Sequence, residues 1–359
     1  MGGKSTARIR SHQLSFTAVF NRARLLQLCE AMKGKLIVVY GDMVADRFIY
    51  GTPKRISREA PVLILRQYRD ELLLGGAGNS INNILSLGGL PIPVSVVGND
   101  AEGAGLLEKL SSQGVDCGAI LRLDRYKTPT KVRILGGMPH STRQQIVRYD
   151  IEDHVDLNED EANRFAWLLR DQIAIADAAL ISDYGYGAVT PALAGNLTGF
   201  SRGKPVTLDS RYDLLRFPDV TAATPNEEEA AAAAGVSLYD EENGNGENLQ
   251  FVSQTLQETL DCEAILITRG SRGMALYERG AGAPLLIPVS GADQVADVTG
   301  AGDTVIATFT LALAAGASYV EAATLANYAG GIVVMKMGTA TVSNDELVHV
   351  IQRDEQLGE

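Results

Sequence analysis

The sequence predicts an α/β fold, a three-layer α/β/α sandwich built on a parallel sheet and carrying a small antiparallel β lid. Three observations predict it. Short runs that are apolar on both sides alternate with helical stretches, the pattern of parallel strands covered on two faces. Two regions break that alternation and read as hairpins. A Gly-Ala-Gly-Asp turn opens a long apolar helix near the C-terminus, a backbone arrangement suited to an anion.

Residues 1–34 read as an N-terminal extension, with helical apolar spacing from Phe20 to Met32 through Leu25, Leu26 and Leu28. A buried strand follows at Lys35–Tyr40 and ends in the turn Gly41-Asp42. Further strands are expected at Pro93–Val97, Ala178–Ile181, Pro205–Leu208, Val220–Ala223 and Ala264–Thr268. Helices are expected between them, at Asn79–Leu87, Gly103–Gln113, Glu159–Ala176, Glu227–Ala234 and Asn248–Leu260. The main domain spans 35–350, and 351–359 is a C-terminal tail. Residues 47–74, with turns at Thr52-Pro53 and Ala60-Pro61, and 120–150, around Gly136-Gly137-Met138-Pro139, form the lid. An exposed lid face or edge would be buried by a second copy, so a homodimer through the lid is expected. The stretch Asp240–Glu247 reads as a solvated acidic loop.

The chain has 359 residues, is 45% hydrophobic and 21% charged, and carries a formal net charge of −12. That composition is an ordinary soluble one, and the negative balance argues against nucleic-acid or acidic-membrane partners. An anionic substrate would need a local basic pocket. Cys29, Cys117 and Cys262 are scattered without metal or disulfide spacing, which points to a reducing, cytoplasmic compartment. No apolar run is long enough to span a membrane. Gly3-Lys4-Ser5 looks like the end of a phosphate-binding loop but lacks its upstream glycine and strand, and Met1-Gly2 with Thr6 matches a myristoylation pattern only at the level of chance.

The chemistry concentrates in four places. In Asp297–Thr304 the backbone of Gly300, Ala301 and Gly302 forms a candidate anion hole, and Asp303 stands in the first helical turn, where a carboxylate could take a proton from an attacking hydroxyl. Gly75-Gly76-Ala77-Gly78-Asn79 lets backbone approach a ligand and places an amide able to donate and accept. Asp42 and Asp46 set two carboxylates beyond the first strand, a pattern suited to a sugar diol. Lys131, Arg133, Arg143 and Arg148 cluster in sequence within an acidic protein, either to grip a phosphate or as a solvated strand face.

These strings resemble the PfkB, ribokinase-like family of sugar kinases. Asp297–Thr304 is similar to its second signature, in which the last Asp, here Asp303, is the catalytic base. Gly75–Asn79 is similar to its first signature, Gly-Gly-x-x-Asn. The resemblance implies sugar contacts from Asp42, Asp46, Gly76 and Asn79. It implies ATP contacts from Asn226, from Thr268, Arg269, Gly270 and Gly273 after a strand, and from Asn327 beside the adenine. Asn226 and Glu229 match the Asn-x-x-Glu element associated with Mg²⁺, with Glu229 acting through water. A K⁺ site beside the Asp297 loop is a further implication. The matches run in family order over about 35–350.

Arg55–Pro61, Thr130–Arg133, Gln144–Asp150 and Ser182-Asp183-Tyr184 look more particularly like the D-glycero-β-D-manno-heptose-7-phosphate kinases. That resemblance implies phosphorylation of the anomeric hydroxyl of heptose 7-phosphate, with Lys131, Arg133, Arg148 and Asp183 at the substrate. Two departures stand out. Tyr186 replaces the Lys of Asp-Tyr-x-Lys-Gly, and Asp209-Ser210-Arg211 replaces Asp-Pro-Lys. The chain ends at Glu359 without a nucleotidyltransferase half, so a later transfer step would need a separate protein. A kinase for another sugar and a non-catalytic sugar- or nucleotide-binding regulator are the rival readings. A dinucleotide oxidoreductase is disfavoured, since no Gly-x-Gly-x-x-Gly follows the first strand.

Overall fold

The computed structural model describes residues 21–138, 143–236, 245–290, 296–355 and 357–358. The basic N-terminus with its two short patterns, Pro139, and most of the acidic loop at 240–247 lie outside the described residues.

The chain opens with α1 (Arg22–Ala31), then β1 (Leu36–Gly41), β2 (Met43–Ile56) and β3 (Leu63–Gly76). Next come α2 (Ala77–Ser86), β4 (Leu90–Gly98), α3 (Ala101–Ser112), β5 (Ile120–Leu123), β6 (Thr130–Gly136) and β7 (Gln144–Ile151). The central part runs through α4 (Glu159–Ile175), β8 (Ala178–Asp183), α5 (Pro191–Ser201), β9 (Val206–Ser210), β10 (Ala222–Ala223) and α6 (Glu227–Ala234). It closes with α7 (Asn245–Leu260), β11 (Ala264–Thr268), β12 (Met274–Glu278), β13 (Leu285–Ile287), α8 (Ala301–Ala314), α9 (Tyr319–Val333) and α10 (Asn344–Arg353).

Nine strands form one sheet in the order β13-β12-β11-β10-β9-β8-β1-β4-β5. Its pairings are parallel from β5 to β11 and antiparallel across β11–β12–β13. β1 shows why both faces are apolar. Successive side chains point to opposite sides of a strand, so Ile37 and Val39 enter the core beside α2 and α8, while Val38 and Tyr40 enter the core beside α4 and α5. The expected strands all lie in this sheet. The short β12 and β13, which end it, were not expected, because they sit among glycines and turns.

The helix of the N-terminal segment packs into the core. Leu25, Leu28 and Cys29 of α1 are buried in the same cluster as Leu347 and Ile351 of α10. Arg22 donates to the carbonyls of Asp354 and Leu357, tying α1 to the segment after α10. No helix among the described residues is long and apolar enough to cross a membrane.

The lid is a four-stranded sheet in the order β3-β2-β6-β7. Each hairpin, β2–β3 and β6–β7, is antiparallel, and a parallel β2–β6 pairing joins them. β5, placed in the lid region by its sequence position, pairs with β4 in the main sheet instead. The first halves of β2 and β6 are buried, whereas every residue of β7 is exposed, including Ile146, Val147, Tyr149 and Ile151.

Candidate active site

The site forms where the carboxyl ends of the parallel strands meet the lid, the place where open α/β sheets bind ligands. α8 is apolar on all sides and buried from Asp303 to Leu313, so only its tip can meet a ligand. Gly300 caps it at φ 77°, a left-handed conformation costly for any residue with a Cβ; a Cβ there would also lie 2.5 Å from the Asn79 amide nitrogen. Asp303 follows one turn in, 3% exposed.

Two neutral donors hold that carboxylate. Asn79 Nδ2 donates to Oδ2 at 2.8 Å, and the Tyr184 hydroxyl donates to Oδ1 at 2.9 Å. Burial pushes the Asp303 carboxyl up to about 6; the two hydrogen bonds and Lys131 pull it back, and Asp46 adds to the rise. Burial holds the Tyr184 hydroxyl well above its ordinary value, so it stays a donor. Asp303 is therefore an acid that ionises near neutrality, the range a general base needs.

Asn79 was expected to touch sugar. It is instead fully buried: Nδ2 serves Asp303 and the Gly300 carbonyl, and Oδ1 accepts from Asn83 Nδ2 at 3.3 Å. These bonds tie α2 to the α8 tip. Gly76, at φ 56°, caps α2 and lets the chain pass Asp42, whose carbonyl a Cβ would meet at 2.6 Å.

The Asp42 carboxylate, also expected at the sugar, is likewise engaged within the protein. It accepts the backbone N–H groups of Tyr184, Tyr186 and Ala188, and Asp42 is 1% exposed. Burial, then the neighbouring Asp183, pushes it up to about 7. Asp183 is also committed, accepting from Ser210 Oγ at 2.7 Å and from the Gly185 amide at 3.0 Å. Both acids shape the 183–188 loop that presents Tyr184. Ser210 thus supplies a hydroxyl that a proline at that place could not.

Asp46 does face the lid interior, but Arg133 Nη1 reaches its Oδ1 at 2.5 Å, with both side chains largely buried. Arg148 pairs with Asp150 at 2.5 Å. Both arginines expected at the substrate are thus paired with a carboxylate here. Lys131 is different. Among the described residues it makes no ion pair, and its Nζ lies 5.0 Å from the centroid of the Tyr184 ring. Burial lowers its proton affinity, and Arg211 and Arg148 lower it further against the pull of Asp46 and Asp303. Tyr186, in the place of a lysine, turns its hydroxyl to Glu152 at 3.4 Å.

On the far side of the α8 tip lies an apolar cleft of about 210 Å³, lined by Thr268, Gly270, Gly273, Ala301, Gly302 and Asn327 among others. Of the residues expected at the nucleotide, Thr268, Gly270, Gly273 and Asn327 line it, and Asn226 and Arg269 do not. Asn327 Nδ2 is tied to the Pro288 carbonyl at 2.8 Å. Arg269 turns away to pair with Glu227 at 2.9 Å. The Ala301 amide donates to the Val298 carbonyl at 3.2 Å, so among the described residues only Gly300 and Gly302 keep their amides unengaged in the expected anion hole. Asn226 and Glu229 form a reciprocal helix cap: Glu229 N–H donates to Asn226 Oδ1 at 2.8 Å and Asn226 N–H to Glu229 Oε2 at 2.9 Å. Glu229 nonetheless stands near Asp209, which in turn faces Asp303. Burial, then Glu229 and Asp303, drive the Asp209 carboxyl well above its ordinary value. No group of three or more His, Cys, Asp or Glu among the described residues is arranged to hold a metal by itself.

Sequence reading missed Tyr184 and Asp209 as site residues. Each follows a strand by a residue or ends one, a weak signal shared by many residues of such folds.

This arrangement suits transfer of a phosphoryl group to an alcohol. The sequence profile of the pfkB family carbohydrate kinases matches residues 35–346, and the chain belongs to that family. Among curated proteins it is similar to the bifunctional protein HldE of Geobacter sulfurreducens, 39% identical over 314 residues, covering 87% of this chain and 62% of that protein. It is similar also to the bifunctional protein HldE of Pelobacter propionicus, 37% identical over 340 residues, covering 94% and 65%. The chain thus spans under two thirds of the length of these relatives. Among solved structures, Arabidopsis thaliana ribokinase complexed with ribose and ATP superposes with a TM-score of 0.64 at 20% identity, covering 89% of this chain and 99% of that one. Phosphofructokinase-2 from Escherichia coli in complex with potassium gives 0.69 at 18% identity, covering 89% and 98%. These two share the fold.

Proposed function

We propose that the protein transfers the γ-phosphate of ATP to O1 of D-glycero-β-D-manno-heptose 7-phosphate, giving the 1,7-bisphosphate. The observation that supports the kinase chemistry is the position of Asp303, at a helix tip beside an apolar cleft and a cation-bearing lid. The heptose assignment rests on the kinship with the HldE proteins and on the lid strings quoted above.

ATP lies in the cleft with its adenine toward Asn327 and its phosphates toward the Gly300 and Gly302 amides. The acceptor hydroxyl approaches Asp303 from the lid side. Its O–H bond breaks with the proton passing to Asp303, its oxygen bonds to the γ-phosphorus, and the bond to the bridging β,γ-oxygen breaks to release ADP. Positioning and charge neutralisation carry most of such catalysis. Magnesium, when bound, would supply neutralisation of phosphate charge. Glu229 and Asp209 fit its water shell, since their shared, poorly compensated charge favours a nearby cation, and Mg²⁺ commonly keeps several waters. The Asp297 carboxylate ties the loop before α8 to Gly338 at 3.0 Å, and a K⁺ bound beside it would stiffen the anion hole. The exposed apolar residues of β7 and of the β2–β3 turn suit a lid-to-lid homodimer.

A panel of sugars and sugar phosphates in a coupled ADP-release assay tests the proposal. Heptose 7-phosphate is expected to give the highest kcat/KM. Preference for an unphosphorylated sugar would overturn the heptose assignment and retain the kinase. ATP binding without turnover on any sugar would favour the regulator reading.

A further inference from the structure

Tyr184 is held at three points. Its backbone N–H donates to Asp42 Oδ2 at 2.8 Å, its hydroxyl to Asp303 Oδ1 at 2.9 Å, and the face of its ring carries Lys131 Nζ at 5.0 Å. The first contact comes from the buried loop clamp and the second from α8. The third comes from β6, a strand of the lid. One side chain therefore touches both the acid that would take the proton and the element that would close over the sugar.

We propose that Tyr184 is a positioning residue that couples closure of the lid to the charge of Asp303. The inference rests on the kinase reading of the site but concerns a contact that exists without substrate. A cation on the face of an aromatic ring is attracted by the ring's electrons, and drawing those electrons outward strengthens the phenol as a hydrogen-bond donor. A stronger donor favours the charged form of the carboxylate it serves. With the lid down, Lys131 sits on Tyr184, the hydroxyl binds tightly, and Asp303 is ionised and held in one orientation. With the lid raised, Lys131 leaves the ring, the hydrogen bond weakens, and the buried carboxyl more readily holds a proton. The base is then competent only when sugar is enclosed, which disfavours transfer to water.

Other charges face this pair. Asp46 on β2 and Asp209 on β9 oppose ionisation of Asp303, while Lys131 favours it. Arg211, beyond β9, faces Tyr184 and lowers the cost of its ionisation. Asn79 serves the other carboxylate oxygen and does not touch the lid cation. Tyr184 is thus the group through which the lid contacts the acid by a hydrogen bond.

The test is a ¹³C NMR titration of the Asp303 carboxyl carbon in the full chain, which needs no sugar. Tyr184→Phe keeps the ring and the Lys131 contact and removes the donor. The Asp303 midpoint is expected to rise by about one pH unit, the scale of one lost charge-assisted hydrogen bond. Lys131→Met keeps the stem and removes the cation; its rise is expected to be large with Tyr184 present and at most half as large in the Tyr184→Phe background. An unchanged midpoint in Tyr184→Phe would overturn the positioning role. Equal shifts from Lys131→Met in both backgrounds would overturn the coupling and leave a direct charge effect. A kinase that shows these shifts displays them again as a raised acid limb in its kcat/KM profile. Failure of every sugar to react would count against the kinase reading and not against this contact.

Discussion

Asn79 Nδ2 and Asp303 Oδ2, 224 residues apart in the chain, lie 2.8 Å apart in the structure. The contact binds the tip of α2 to the tip of α8 and joins the two glycine-rich turns into one site. Asn79 gives its amide to the acid and to the Gly300 carbonyl, and its oxygen accepts from Asn83.

Replacing Asn79 by Asp sets a second carboxylate against Asp303. Like charges in one buried site push one proton affinity up strongly. Asn79→Asp is expected to shift the acid limb of kcat/KM upward by at least about one unit, with a KM for ATP within about two-fold of wild type. A pH–rate series checks it.

Asp303 also predicts a pH-dependent stability. Its folded-state value of about 6 lies above the ordinary 3.8, so protonation favours the fold. The stabilisation is complete below about pH 4 and is lost as pH rises through about 6. At pH 7.5 the charged buried carboxylate costs stability. Asp303→Asn keeps both hydrogen-bond partners, with the amide oxygen accepting from Asn79 and the NH₂ facing the Tyr184 oxygen. It is expected to raise stability by about 1–3 kcal/mol at pH 7.5 and by much less at pH 4.5, as read by urea denaturation.

The Arg133–Asp46 pair is largely buried between β6 and β2, with the guanidinium 5.1 Å from the Phe48 ring centroid. Removing one partner strands the other charge. Arg133→Ala is expected to cost about 3–5 kcal/mol. Arg133→Met with Asp46→Asn, which removes both charges and keeps the volume, is expected to recover more than half of that. Denaturation midpoints of the three proteins check it.

Much of this was legible in the sequence. Alternating apolar runs gave the strand and helix order, because strands buried on two faces need apolar residues on both sides. The Gly-Ala-Gly-Asp turn located the acid, because only glycine adopts the Gly300 conformation cheaply. Other features were not legible. Asp42 and Asp46 look equivalent in sequence, yet one lies in the turn after β1 and is caged by three amides, while the other lies in β2 facing the lid. Asn-x-x-Glu spacing suits a metal element and a capping box equally, and the coordinates show the cap. Arg133 and Arg148 alternate along the lid as a phosphate grip would, but their carboxylate partners come from another strand or from two residues away, so pairing was hidden. Tyr184 carries no signal of its own, since its role depends on α8 arriving more than a hundred residues later.

Phosphoryl transfer by Asp303→Asn beside the wild type, with ATP and heptose 7-phosphate and the product followed by ³¹P NMR, tests the central claim most directly. The expected result is a new anomeric phosphate signal from the wild type and turnover lower by about 10²–10⁴ in the variant, the range for a lost general base, with sugar binding by calorimetry nearly unchanged. Turnover within a few-fold of wild type in a folded Asp303→Asn protein would contradict it.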